Sequence, residues 1–153
     1  LETNGWDLGI NYAFELGGSG FNVALNGTFT DENTFYSETP SANNRGSQPD
    51  VQISTRADWY LNDWTFSWMT RHIGEMNDTR FDGSNSFNYN TVDDYYKHDI
   101  RVAYDWERYR FVFGINNVAD EDPPYLFGSG NNTDLFLYDE FGRYWFARMT
   151  FSM

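Results

Sequence analysis

The sequence predicts an all-β fold, an antiparallel up-and-down sheet that crosses a membrane as part of a β-barrel. Three observations carry this. Apolar and polar residues alternate with a period of two in seven separate runs. Each run is about ten residues, the length a tilted strand needs to cross a hydrocarbon core, whereas soluble strands more often run about five or six. The connections are short and long by turns, which puts every short turn at one end of the sheet and every long loop at the other.

The runs follow in order. Trp6, Leu8, Ile10, Tyr12 and Phe14 alternate with Asp7, Gly9, Asn11, Ala13 and Glu15. Phe21, Val23, Leu25 and Phe29 alternate with Asn22, Ala24, Asn26 and Thr28. Val51, Ile53, Ala57, Trp59 and Leu61 oppose Gln52, Ser54, Arg56 and Asp58. Trp64, Phe66 and Trp68 oppose Thr65, Ser67, Met69 and Arg71. Tyr96, Ile100, Val102 and Tyr104 face away from Lys97, Asp99 and Arg101. Tyr109, Phe111, Phe113 and Ile115 face away from Arg108, Arg110, Gly114 and Asn116. In the last run Trp145, Ala147, Met149, Phe151 and Met153 oppose Tyr144, Phe146, Arg148, Thr150 and Ser152.

Between the runs, Gly17 to Gly20 reads as a tight turn and Asp31 to Pro49 as a long polar stretch. Leu61-Asn62-Asp63 is tight, Gly74 to about Thr91 long, Asp105-Trp106-Glu107 tight, and Val118 to about Phe141 long. Within the second long stretch, Asp82 to Asn90 reads as a flexible loop tip. Aromatic rings crowd the short-turn end, where amphipathic rings are favoured at a headgroup boundary. Trp59, Trp64, Tyr104, Tyr109 and Phe151 are the lipid-facing girdle residues expected there, and Trp145, with Trp6 and Tyr96, is expected in the opposite girdle.

Composition sets the outer limits. The 153 residues suffice for one domain, and 6 Trp, 11 Tyr and 14 Phe are far too many for a disordered segment. The formal net charge of -13 argues against nucleic acid, whose phosphates need neutralising Lys and Arg. There is no Cys, so no disulfide framework, thiol catalysis or Cys-based metal site. No apolar run approaches a transmembrane helix, and nothing reads as a signal peptide. The start at Leu1 leads us to expect further polypeptide before it.

With the apolar rows toward lipid, the other side faces a water-filled or plugged interior. It carries seven bases and four acids, so the inner wall is mildly basic while the loops hold the excess acid. Two readings of the bases stay open: structural wall charges paired with acids or a plug, or contacts for an anionic solute. Under the second, Arg56, Arg71, Arg101, Arg110 and Arg148, with Tyr125, are the substrate-contact candidates. No calcium-loop spacing occurs among the loop acids, and His72 and His98 read as wall residues rather than metal ligands. No catalytic constellation, phosphate-cradling Gly motif, cofactor site or metal site is expected.

The last third of the chain resembles a known family. "FVFGINNVADEDPPYLF", Phe111 to Phe127, resembles the penultimate strand and its exit in TonB-dependent outer-membrane receptors, where an Asn-Leu-Phe-Asp pattern precedes one or two prolines. Asn117-Val118-Ala119-Asp120 stands in for that pattern, and Pro123-Pro124 follows. "YDEFGRYWFARMTF" resembles the family's last strand, with Tyr138, Asp139, Gly142 and Arg143 at the Tyr-Asp-x-x-Gly-Arg positions, and "HDIRVAYDW" the strand before. The family usually ends on an aromatic, whereas this chain ends on Met153, two places after Phe151.

The resemblance implies that residues 1–153 supply about the last seven strands of a barrel of about 22. Plug and TonB-contact segment would lie outside this chain. The expected partners are the remaining strands and plug, the TonB complex, the barrel assembly machinery, and outer-membrane lipid and lipopolysaccharide. The implied activity is import of a scarce large solute, such as a siderophore, cobalamin, oligosaccharide or peptide, with the long loops extracellular and the C-terminus periplasmic. A passive porin or adhesive barrel, and a soluble acidic carbohydrate-binding sandwich, are the alternatives.

Overall fold

The alternating runs become strands, and none of the described residues is helical. The computed structural model describes residues 2–34, 49–81, 87–126 and 133–153. Its strands are β1 (Glu2–Leu16), β2 (Ser19–Thr34), β3 (Val51–Leu61), β4 (Trp64–Ile73), β5 (Met76–Phe81), β6 (Phe87–Val92), β7 (Tyr95–Trp106), β8 (Tyr109–Asn116) and β9 (Tyr144–Phe151). Seven of them form one antiparallel sheet in the order β1-β2-β3-β4-β7-β8-β9. Every neighbour in this meander is also the next sheet strand along the chain.

The remaining two strands correct the sequence reading. Residues 74 to 91 were expected to be a long loop, yet Met76–Phe81 and Phe87–Val92 pair as a hairpin. Only Asp82 to Ser86 of the expected flexible tip fall outside the described residues, and Phe87 to Asn90 belong to β6. The first of these strands, Met76-Asn77-Asp78-Thr79-Arg80-Phe81, carries four polar residues in a row. Period two is therefore silent there, and the strand is marked by backbone pairing with β6 and by Met76, which is buried opposite Val92. The first long stretch also starts later than expected, because β2 continues to Thr34 opposite Glu2, past a register shift at Asn4/Gly5.

Short turns close one end of the sheet. Gly17 and Gly18 take φ of 60° and 80°, which suits the hairpin turns that match strand twist. Asn62 and Glu107 each take φ of 51° in the other two. The third turn is Glu107–Arg108, one place later than expected, so Asp105 stays in β7 on the polar face.

Registers keep each apolar row continuous across the sheet. Tyr12 sits opposite Val23, Val23 opposite Ala57, Ala57 opposite Trp68, Trp68 opposite Ile100, Ile100 opposite Ile115, and Ile115 opposite Trp145. Because the side-chain period is two, this alignment places every expected outward residue on one face. That face is open: among the described residues no second layer packs on it, and Trp145 and Met149 are 61% and 63% exposed.

Rings cover the short-turn end of this face in a chain of contacts. Phe14 stacks on Phe21 at 5.0 Å, Trp59 on Phe66 at 5.0 Å, and Trp64 meets Tyr104 at 4.5 Å. Tyr109 meets Phe151 at 5.2 Å.

The buried apolar cluster lies elsewhere, at the long-loop end. Ile73, Met76, Val92, Tyr95, Leu126 and Tyr138 form it, with Leu137 against it. Ile73 and Tyr95 are opposite one another and have the parity of the polar face. The connection from β8 to β9 therefore folds back over that face and anchors there through Leu126 and Tyr138.

Candidate functional site

The polar face carries its charges in ordered rows. Asn26, Ser54, Arg71 and Lys97 stand side by side on β2, β3, β4 and β7. The next row toward the short turns is Ala24, Arg56, Met69 and Asp99. Together these residues line a concavity of about 410 Å³, closed on one side by Asp139 of the β8–β9 connection. Its size falls within the roughly 300–1,000 Å³ usual for small-molecule sites.

Several of its charges are committed to one another. The Arg56 guanidinium donates to Asp58 at 2.8 Å, and Ser67 donates to the same carboxylate at 2.6 Å. Asp58 is 3% exposed, so these bonds offset the burial of a charge. Asp99 accepts the Asn117 backbone amide at 2.8 Å. Lys97 donates to Asp139, which reaches down from the loop. Arg71 stands directly opposite Lys97 and has no carboxylate partner among the described residues.

The expected contact residues do not all converge. Arg56 and Arg71 line the concavity. Arg101 lies one row farther down, its guanidinium 5.7 Å from the centre of the Phe146 ring, with a buried Nε that no described acceptor meets. Arg110 pairs with Asp105 at 2.9 Å near the short-turn end. Arg148 is exposed on β9 opposite Val112. Tyr125 is exposed in the β8–β9 connection and does not line the concavity. Lys97 was legible as a base on the polar face, but Asp139 was not legible as its partner, since the two lie 42 positions apart.

Outside the strands, Tyr138 and Asp94 at the long-loop end have shifted ionisation. Burial pushes the Tyr138 hydroxyl up to about 12. His72 donates from Nε2 to Asp94 at 3.0 Å and holds that carboxyl below the usual carboxylate range, with the Glu75 amide adding a second bond at 3.0 Å. His72 also stacks on Tyr96 at 4.4 Å, and His98 bonds Thr70 at 2.9 Å. Both histidines thus have local partners on the apolar face. Among the described residues no three His, Asp or Glu side chains are placed to hold a metal ion.

The exit of β8 explains the residues that carried the resemblance. Asn117 takes φ of 52° and clasps Glu121 twice, through its backbone amide at 2.9 Å and its carbonyl at 2.8 Å. Asp120, at φ of 59°, accepts the Arg143 backbone amide at 2.7 Å and faces its guanidinium at 3.4 Å. The two ends of a long connection are tied together where β9 begins. No family model, curated protein or solved structure matches the chain.

Proposed function

We propose that this chain forms part of the wall of an outer-membrane β-barrel, within a TonB-dependent transporter that binds and actively imports a scarce large solute. The single observation that supports it most is the two-sidedness of one seven-stranded sheet. One face exposes continuous rows of Trp, Tyr, Phe and Ile, while the other presents charges and a concavity. Exposed apolar surface on this scale is unfavourable in water and favourable against acyl chains. A soluble sandwich would cover those rows with a second sheet.

The outer strands add to this reading. β1 and β9 are each paired on one side only among the described residues. Unpaired N–H and C=O groups in hydrocarbon are costly, at several kcal/mol each, so a spanning sheet closes on further strands. In the transporter, the polar face would be the inner wall and the concavity under the β8–β9 connection a place for solute.

The experiment has two parts. The full polypeptide should leave cell envelopes only with detergent and should migrate differently before and after boiling. It should also bind the purified periplasmic domain of TonB. Extraction without detergent would refute the barrel and restore the soluble sandwich. A detergent-dependent barrel that ignores the TonB domain would instead be a passive porin or an adhesin.

A further inference from the structure

We propose that the concavity under the β8–β9 connection is a carboxylate-binding site, and that Asp139 occupies it as an internal stand-in for the ligand's carboxylate. The proposal deepens the transporter reading, and rests on it in taking this face as a wet interior.

The argument starts from the pair Arg71 and Lys97. They are direct cross-strand neighbours on one face, an arrangement that like charges destabilise. An anion between them converts repulsion into two attractions. The other acids nearby are already engaged: Asp58 by Arg56 and Ser67, and Asp99 by the Asn117 amide. Among the described residues Asp139 is the one carboxylate hydrogen-bonded to the pair, through Lys97, while Asp99, two places along β7 on the same face, adds its charge without a bond to either base. Arg71 keeps a fork of donors with no acceptor among the described residues, and that fork is the shape that grips a carboxylate through two parallel bonds.

Lys97 and Asp139 differ in how freely they can move. The Lys97 side chain is 11% exposed, whereas that of Asp139 is 48% exposed. Stripping a largely buried ammonium of its bonded carboxylate is costly even with Asp99 nearby, so departure of Asp139 is favoured when another anion takes its place. The connection stays anchored by Leu126 and Tyr138 in the apolar cluster, while half-exposed Asp139, one residue on, faces water. The site therefore exchanges one carboxylate for another, and a ligand with two carboxylates gains further by meeting Arg71 as well. Asn26 and Ser54 on the same row supply neutral polar contacts beside it.

The test uses the full polypeptide in detergent micelles and succinate as the probe, with sodium chloride at matched ionic strength as control. A spin label on Glu140→Cys reports the loop. Succinate, and not chloride, should mobilise the label. Asp139→Asn should bind succinate about tenfold more tightly, because the internal competitor is gone, and Arg71→Gln about tenfold more weakly. Arg71→Lys, which keeps the charge and loses the fork, should fall between wild type and Arg71→Gln. Unchanged affinity in Arg71→Gln, weaker binding in Asp139→Asn, or equal mobilisation by chloride each overturns the proposal. Insertion of every variant is scored separately by heat-modifiable mobility, so the site and the barrel reading fail independently.

Discussion

Phe146 and Gly114 show how finely single residues are fitted. A Cβ at Gly114 would lie 2.4 Å from Phe146 ring atoms. The ring covers the glycine from the next strand, and Arg101 lies over the ring in turn. Gly114→Ala is therefore expected to displace the ring and to lower stability by about 1–3 kcal/mol, as overpacking does. Urea unfolding in detergent checks it, and adding Phe146→Leu should recover most of the loss. Tyr138 gives a second prediction at this scale. Its hydroxyl is buried and meets no hydrogen-bond partner among the described residues. Its pKa in the fold, about 12, stands above the unfolded value near 10. The unfolded chain thus releases its proton first as pH rises. The stability tied to this proton is complete below about pH 10 and lost as pH climbs toward about 12. Hydrogen exchange in the β8–β9 connection should accelerate across that window, and Tyr138→Phe should remove the step. Acceleration with the same profile in Tyr138→Phe would refute it.

At the scale of elements, the β8–β9 connection is the part whose ends must be held. Asp120 joins the exit of β8 to Arg143, the residue before β9. A strand slipped by one residue would turn its apolar row onto the polar face, so whatever fixes where β9 begins protects all of its side chains. Asp120→Ala removes both bonds to Arg143 and is expected to lower stability by about 1–3 kcal/mol. It should also raise the yield of protease-sensitive, misregistered β9, and wild-type resistance at that strand would count against the role. Asn117 was visible in the sequence as part of a pattern, yet its work was not: the bonds to Glu121 arise only once φ at 117 is positive. The β5–β6 hairpin was missed for a related reason. Its first strand has no apolar alternation, so only its pairing with β6 and the burial of Met76 opposite Val92, both long-range facts, mark it.

At the scale of the molecule, the contrast between faces sets the strongest test. Ile100 is 40% exposed, midway along β7 on the apolar face. Ile100→Lys should cost about 2–4 kcal/mol if the face meets the middle of a bilayer, whereas Thr65→Lys, opposite in parity, should change stability by only about 0.5 kcal/mol. Folding equilibria in lipid vesicles measure both. Equal, small effects would show that the apolar face does not meet hydrocarbon.

What the sequence determined by itself is the meander and its two faces. Period-two alternation dictates which side chains share a face, and alternating connection lengths dictate which ends share a side. Both are local properties of the chain. The shared polar-face parity of Arg56, Arg71, Lys97 and Asp99 followed from the same rhythm. Tertiary structure alone decided which charges meet. Asp58 pairs with Arg56 and Ser67, Asp139 descends onto Lys97, and Arg71 faces its neighbour without a carboxylate among the described residues. Such pairings depend on register between strands and on where a long connection folds back. Neither is written in any one segment, because each is settled by the lowest free energy of the whole sheet with its loops in place.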